Sequence, residues 1–261
     1  MRSRSGWLLV LLLGFAGTVS SAWAQSVHRE PDWVSLWGDM LSRHTQALDT
    51  EVGTRVDYPA LLRDPRWSQM VAALGRADPA DLRTREEKLA FWNNAYNILA
   101  IDIVLQNYPV ESIRDIGWFL RPVWKRPAGT IGDRGYSLDE IEHEILRPLG
   151  EPRIHGAIVC AAVSCPNLLR EPYRAEVLNA QFEVSLRAWM ARPEKGMVLD
   201  RERGIVRVSR IFDWFKEDFE IEGGVLPFVT GYAPPEDAAW LRTHRGAVSL
   251  EYLPYDWRLN D

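Results

Sequence analysis

The sequence RIHGAIVCAAVSCPN, residues 153–167, is the stretch around which the rest of the chain is organised. It holds both cysteines of the chain, Cys160 and Cys165, and one of the five histidines, His155. The apolar run from Ile154 to Val159 predicts a buried strand that leads into the cysteines. A Pro-Asn pair follows Cys165, and its proline predicts the first turn of a helix. The segment therefore places two thiols and an imidazole between a predicted strand and a predicted helix.

The second organising segment is a long helix upstream of these cysteines. Thr84 and Glu87 match a capping box, which predicts that the helix begins just after Thr84. The helical pattern continues to Gln106 and ends at Asn107-Tyr108-Pro109. Its four-residue rows are apolar on nearly every side, which predicts a central, buried helix.

Amide side chains interrupt the apolar surface of this predicted helix. Asn93 and Asn97 lie one turn apart, and Asn94 lies next to them. Because a buried amide needs hydrogen-bond partners, we expect the Asn93 and Asn97 side chains to bind the backbone of a neighbouring loop and to clamp the core. The alternative is that they line a site and orient a ligand or a histidine there.

Short elements fill the rest of the chain. A turn at residues 132–135 predicts one hairpin, and a five-residue loop at 200–204 predicts another. Helices are expected from about Ala175 to Ala191 and from Ile211 to Phe219. Since there is no internal repeat, linker or break in composition, we predict one α+β domain, in which the central buried helix packs on a small, mainly antiparallel sheet.

The first residues predict export. Arg2 and Arg4 precede a short apolar run, Trp7 to Ala16, and Ala22-Trp23-Ala24 is typical of a cleavage site. We therefore predict a secretory signal peptide at residues 1–24, a globular domain at 25–261, and a periplasmic or secreted protein. No later apolar run is long enough to cross a membrane, so no membrane span is expected once the signal is removed.

Composition narrows the possible partners. The chain has 261 residues, a formal net charge of -5 and a pI of about 5.6, which gives no support for nucleic-acid binding. Trp118 and Trp124 lie in a segment rich in tryptophan and proline, which covers the core or lines a groove for a ligand. A small molecule or a peptide of unknown identity is therefore the expected ligand, and no oligomeric state is predicted.

Several motifs together resemble one known family, the domain-of-unknown-function family 547. The motifs that carry the resemblance are Phe91–Asn97, Ser137–His143, His155, Cys160, Ser164–Leu168, Ile211–Phe215, Asp218-Phe219 and Tyr255–Asn260. The resemblance extends over nearly the whole mature chain and implies a single domain of that type. It implies no chemistry, because the family has no assigned function. The usual family pattern has Ile at position 93 and an aromatic residue at position 156, so Asn94 and Asn97 are the amides to consider for a site.

Two states of the cysteines are open. In an exported protein, Cys160 and Cys165 are expected to form a local disulfide if a turn brings them together. Alternatively, Cys165 is a nucleophile whose thiolate is stabilised by the N-terminus of the helix predicted at Pro166, and Cys160 is a buried small residue or a less favoured nucleophile.

The candidate bases for such a nucleophile are His155 and His143. On a regular strand, His155 and Cys160 point to opposite faces because they are five residues apart, but His155 can reach Cys165 if the loop folds back. Glu142 or Asp139 would orient His143. With Asn97 or Asn94 added, the set resembles the Cys-His-Asn sites of papain-like hydrolases in role only.

These observations lead to two hypotheses of function. The first is an exported thiol-dependent hydrolase or acyltransferase with a Cys/His/Asn site. The second is a non-enzymatic binding or scaffolding domain that contains a local structural disulfide. Neither hypothesis includes a cofactor or a metal, because the Cys-x4-Cys spacing is wider than that of most zinc sites and no second pair of ligands accompanies it.

Overall fold

The longest helix is the element that the others surround. A computed structural model describes residues 32–117 and 121–261, and helix α4 spans Arg85–Asn107. The Thr84 hydroxyl accepts the Glu87 N–H at 3.1 Å and the Glu87 carboxylate accepts the Thr84 N–H at 2.8 Å, which confirms the capping box. Nearly every residue from Leu89 to Leu105 is buried, so the predicted central helix is also confirmed.

Some predictions fall outside this part of the chain. The predicted signal peptide at residues 1–24 lies outside the described residues, as does Trp118. Within residues 32–117 and 121–261, none of the helices has the length and apolar character needed to cross a membrane.

Short helices and hairpins pack around α4. The elements on its N-terminal side are α1 (Trp33–His44), β1 (Thr45–Ala47), β2 (Thr54–Val56), α2 (Tyr58–Arg63) and α3 (Pro65–Gly75). The elements that follow it are β3 (Pro127–Ile131), β4 (Arg134–Ser137), α5 (Leu138–Glu140), a π-helical turn (Ile141–Leu146), α6 (Leu178–Met190), β5 (Met197–Asp200), β6 (Ile205–Val208), α7 (Ile211–Trp214), α8 (Val225–Tyr232), α9 (Pro235–His244) and β7 (Ser249–Tyr252).

The strands form small sheets rather than one continuous layer. The β1–β2, β3–β4 and β5–β6 pairs are antiparallel, and β7 joins β6 in parallel. Strand β3 packs directly on α4. The predicted α+β fold, with a central buried helix and small, mainly antiparallel sheets, is therefore confirmed.

The predicted strand from Ile154 to Val159 is wrong. Residues Pro152–Gly156 form a 3-10 helix, with the Glu151 side chain accepting the Arg153 N–H at its start, and no regular structure follows. The apolar run is buried, as predicted, but its backbone has other partners than a neighbouring strand. The Asn97 side chain on α4 donates to the Ala157 carbonyl at 3.0 Å and accepts the Val159 N–H at 2.7 Å. One amide thus satisfies the backbone groups that a strand would have paired.

The helix predicted at Pro166 is also absent. Residues 166–169 have no regular structure, and the next helix is a 3-10 turn, Ala175–Val177, that leads into α6. The cysteine loop, residues 157–165, is held by the end of the chain instead. The Val163 N–H donates to the Arg258 carbonyl at 2.8 Å, and the Ser164 hydroxyl accepts the Asp256 N–H at 2.8 Å. Cys165 therefore has no helix N-terminus beside it.

Removal of the Asn97 amide is expected to destabilise the fold. Asn97→Ala leaves a buried N–H at Val159 and a buried carbonyl at Ala157 without these partners, and each such loss costs about 1–3 kcal/mol. We expect the free energy of unfolding, measured by urea titration, to fall by at least about 2 kcal/mol.

Asn107→Ala on the same helix is the matched control. The side chain of the exposed residue Asn107, the last of α4, donates to the Ile103 carbonyl, and its loss should cost no more than about 1 kcal/mol. Equal losses of stability in the two variants would show that Asn97 does not clamp the loop.

Candidate functional site

A pocket of about 380 Å³ lies where the cysteine loop, α4 and the C-terminal segment meet. Cys160, Cys165, His143 and His155 all line it, so the structure brings together four of the six predicted site residues. The other lining residues are mostly aromatic or acidic and are Tyr96, Pro122, Trp124, Lys125, Asp139, Glu142, Ile158, Ile211, Trp214, Phe215, Tyr255 and Trp257.

One tyrosine hydroxyl lies between the two sulfurs. The Tyr255 oxygen is 3.4 Å from Cys160 Sγ and 3.2 Å from Cys165 Sγ. The backbone N–H of Cys160 also donates to Cys165 Sγ at 3.1 Å. Both cysteines are free thiols, so the predicted disulfide is not formed in the structure. Tyr255 belongs to the C-terminal motif of the family resemblance, but no sequence pattern predicted its contact with the sulfurs.

These contacts favour a negative charge on Cys165. Burial opposes its ionisation, but hydrogen bonds from the Cys160 thiol, the Tyr255 hydroxyl and nearby backbone outweigh burial and lower the pKa of Cys165 to about 7. The Cys160 thiol donates to that sulfur, and this raises the pKa of Cys160 well above its ordinary value. Burial raises the pKa of Tyr255 as well, so its hydroxyl keeps the proton that it donates. Cys165 is therefore the thiol that ionises first, and Cys160 is its hydrogen-bond donor.

A buried lysine supports the cysteine loop. Lys195 is only 2% exposed, and its Nζ donates to the Val163 carbonyl at 3.1 Å and to the Val52 carbonyl at 2.8 Å. Burial lowers the pKa of Lys195 to about 8, while negative charge on Cys165 acts in the opposite direction. The ammonium thus holds the loop two residues before Cys165 and favours a thiolate there.

A buried carboxyl group faces the same pocket. Glu142 lies in the π-helical turn after α5, and its Oε2 accepts the Tyr96 hydroxyl at 3.3 Å. Burial raises the pKa of Glu142 to about 7, and charge on Cys165 acts in the same direction. A carboxyl group of this kind can donate a proton near neutral pH. The sequence suggested Glu142 only as a group that orients His143, because its burial depends on the turn that carries it.

His155 is engaged by a carboxylate from a distant part of the chain. Its Nε2 lies 2.7 Å from Asp218 Oδ2, and Arg147 binds both oxygens of Asp218 at 2.7 Å. The His155 ring stacks on Phe215 with the ring centres 4.3 Å apart. Burial lowers the pKa of His155 in spite of Asp218. Although burial opposes it, hydrogen bonding to His155 and Arg147 holds the pKa of Asp218 well below its usual range.

The predicted cysteine–histidine pair is not formed. Within the described ranges, no hydrogen bond joins either sulfur to an imidazole. His143 contacts Arg147 through Nδ1 at 2.8 Å, and its Nε2 is 3.9 Å from Asp139, one of its two predicted orienting groups. Both histidines therefore line the pocket with nitrogen atoms already directed at other charged groups.

The two predicted amides lie behind the pocket rather than in its lining. Asn97 binds the loop at Ala157 and Val159. Asn94 donates to the Tyr173 carbonyl at 2.8 Å and accepts its N–H at 2.9 Å. The predicted clamp on a neighbouring loop is thus confirmed for Asn97, whereas Asn93 donates to the Leu89 carbonyl of its own helix at 2.7 Å.

Comparisons with known proteins give a family match over one segment of the chain and no activity. Residues 79–190 match the model of a family described as "Protein of unknown function, DUF547", which confirms the family resemblance over that segment. The motifs at Ile211–Phe219 and Tyr255–Asn260 lie beyond it, although the fold brings Phe215 and Tyr255 into the same pocket. No curated protein and no solved structure matched the chain. For the part of the chain that the structure describes, no group of three or more His, Cys, Asp or Glu side chains is arranged to hold a metal ion.

Alkylation by iodoacetamide should reveal the ionisation of Cys165. The thiolate is the reactive form, so the rate at Cys165 should rise as the pH increases through about 7, below the pKa of about 8.5 of an ordinary cysteine. Tyr255→Phe removes one donor to the thiolate, and a hydrogen bond to a charged group contributes about 1.5–3 kcal/mol. The pH at which the alkylation rate of Cys165 reaches half its maximum, the midpoint, should therefore rise by about one to two units. Mass spectrometry of the modified peptide follows each cysteine separately.

Tyr252→Phe provides the comparison, because Tyr252 is a nearby tyrosine that does not line the pocket. The midpoint of Cys165 alkylation in Tyr252→Phe should equal that of the wild type. A wild-type midpoint near 8.5, or one that Tyr255→Phe leaves in place, would contradict the assignment of Cys165 as a stabilised thiolate.

Proposed function

We propose that the pocket is the active site of an exported thiol-dependent hydrolase or acyltransferase, with Cys165 as the nucleophile. One observation supports this most directly. The Cys165 sulfur accepts hydrogen bonds that favour its thiolate, while Glu142 in the same pocket has a pKa raised to about 7. A nucleophile and a proton donor are thus available together near neutral pH.

The groups suit acyl transfer in two steps. The Cys165 thiolate attacks the acyl carbonyl carbon and forms a carbon–sulfur bond, and the bond from that carbon to the leaving group then breaks. The Glu142 carboxyl gives its proton to the leaving oxygen or nitrogen. Water, or an acceptor alcohol or amine, next attacks the thioester and gives a proton to the Glu142 carboxylate. The thiolate leaves, so both groups return to their starting states.

This proposal changes the base inferred from the sequence. His155 and His143 were the sequence candidates, but their nitrogen atoms contact Asp218 and Arg147. Glu142 has no ion-pair partner among the described residues and reaches the pocket directly. We therefore assign the proton transfer to Glu142, whereas His155 and His143 form part of the pocket lining.

A second candidate function is a non-enzymatic binding domain. It is favoured by the aromatic lining of the pocket, which suits an apolar ligand even without a reaction. In that case the two thiols would contribute only to packing. The predicted signal peptide supports an exported protein under either function.

Covalent trapping separates the two functions. The protein should hydrolyse at least one member of a panel of activated aryl esters and thioesters, and rapid quenching should reveal an acyl group on Cys165 by mass spectrometry. Cys165→Ser should reduce turnover at least 100-fold, because a hydroxyl at this position has no comparable acidity. Glu142→Gln should lower kcat by about 100-fold or more, the range of general acid–base catalysis, and remove the loss of activity that deprotonation of Glu142 causes above neutral pH.

Cys160→Ser is the matched control for the nucleophile. Cys160→Ser should still form the acyl-enzyme, because a serine hydroxyl also donates to Cys165. Its acylation should be slower than that of the wild type. An acyl group on Cys160 instead, or turnover that survives in Cys165→Ser, would contradict the assignment. Saturable binding of the esters without any acylation would favour the binding domain.

A further inference from the structure

Aromatic rings form a continuous wall that starts at the two sulfurs. The centre of the Tyr255 ring is 4.4 Å from that of Trp257 and 4.9 Å from that of Trp214. Trp257 in turn lies 5.5 Å from Trp124 and 5.7 Å from Trp214. Because the Tyr255 hydroxyl contacts Cys160 and Cys165, the wall reaches the reacting sulfur. We call these four residues, Trp124, Trp214, Tyr255 and Trp257, the aromatic wall.

One residue of the aromatic wall, Trp214, is unusually exposed for so large an apolar side chain. Trp214 is 47% exposed although it belongs to a helix, α7, whose neighbours Ile211 and Phe212 are buried. Its ring stacks against Trp257 with an angle of 22° between the planes, so it presents an apolar surface to the pocket rather than to the core. A ligand ring that covered Trp214 would remove that apolar surface from water.

Charged groups also line the pocket. Glu142 and Asp139 come from the turn around α5, and Lys125 comes from the segment before β3. The volume of about 380 Å³ lies within the range of pockets for small organic ligands. A group bonded to Cys165 therefore starts beside the Tyr255 ring of the wall, in a pocket with room for a small substituent.

We propose that the site selects acyl groups that carry a flat aromatic ring, which stacks on the aromatic wall beside the cysteine. That the substrate is an acyl group rests on the function proposed above, whereas the preference for a flat ring rests on the aromatic wall alone. Offset-stacked and edge-to-face ring pairs are more favourable than the same apolar area without a ring. An aliphatic chain would bury a similar area but lack that contribution.

Two alkylating agents test the preference without any catalytic turnover. In both, the Cys165 thiolate forms a bond to the carbon that carries iodine, and iodide leaves. We would compare N-benzyl-iodoacetamide with N-hexyl-iodoacetamide, whose substituents have similar apolar size, and measure the second-order rate of each at Cys165. The benzyl reagent should react about 2- to 10-fold faster, the range expected for one aromatic contact.

Leucine variants show whether the wall causes the preference. Trp214→Leu and Trp257→Leu retain apolar side chains but remove a ring, so the ratio of the benzyl to the hexyl rate should fall toward one. Trp240→Leu is the control, because Trp240 lies in α9 and stacks on His244 outside the pocket. Circular dichroism and the rate with unsubstituted iodoacetamide check that each variant is folded with a reactive thiolate.

The outcomes separate this inference from the proposed function. A ratio of one or less in the wild type, or a ratio that both wall variants leave unchanged, would overturn the aromatic preference even if Cys165 forms an acyl-enzyme. A ratio that falls in the wall variants would support it. A fall in the ratio would support the aromatic preference even if the protein hydrolysed no ester. The absence of ester hydrolysis would count only against acyl transfer.

Discussion

The whole site depends on two hydrogen bonds made by one amide. The Asn97 side chain binds the carbonyl of Ala157 and the N–H of Val159, and so fixes an irregular loop to the most buried helix of the fold. Strands and helices satisfy their own backbone groups, but an irregular buried segment needs partners from elsewhere. Those two bonds are what attach the start of the cysteine loop to α4. The same helix carries Tyr96, which binds Glu142, so α4 positions both sides of the pocket.

The end of the chain completes what α4 begins. Its backbone pairs with the loop at Ala161, Val163 and Ser164, and it delivers Tyr255 between the two sulfurs. Ala161 adopts a left-handed conformation with φ of 63°, which an alanine rarely adopts. The loop is therefore held in a locally unfavourable shape from both sides. Strain of this kind persists only where surrounding contacts over-determine the backbone, and it is concentrated at functional sites.

Local signals in the sequence predicted the parts of the fold that depend on local interactions. The capping box at Thr84 and the all-round apolar pattern of α4 were sufficient for its start and its burial. The run from Ile154 to Val159 was predicted as a strand because an apolar run indicates burial without identifying the backbone partner. Asp218 is 63 residues from His155 in sequence, so no spacing rule could pair them. Both Asp218 and Tyr255 stood in motifs of the resembled family, which marked them as notable without giving them a role.

The protonation states of Cys165 and Glu142 are best understood together. Hydrogen bonds bring the pKa of Cys165 down to about 7, burial brings that of Glu142 up to about 7, and negative charge on Cys165 raises the pKa of Glu142 further. Hydrogen bonds to Cys165 from Tyr255 and Cys160 favour the form in which the sulfur is charged and the carboxyl is neutral. That form has a nucleophile and an acid side by side, which is the arrangement that acyl transfer needs at its first step.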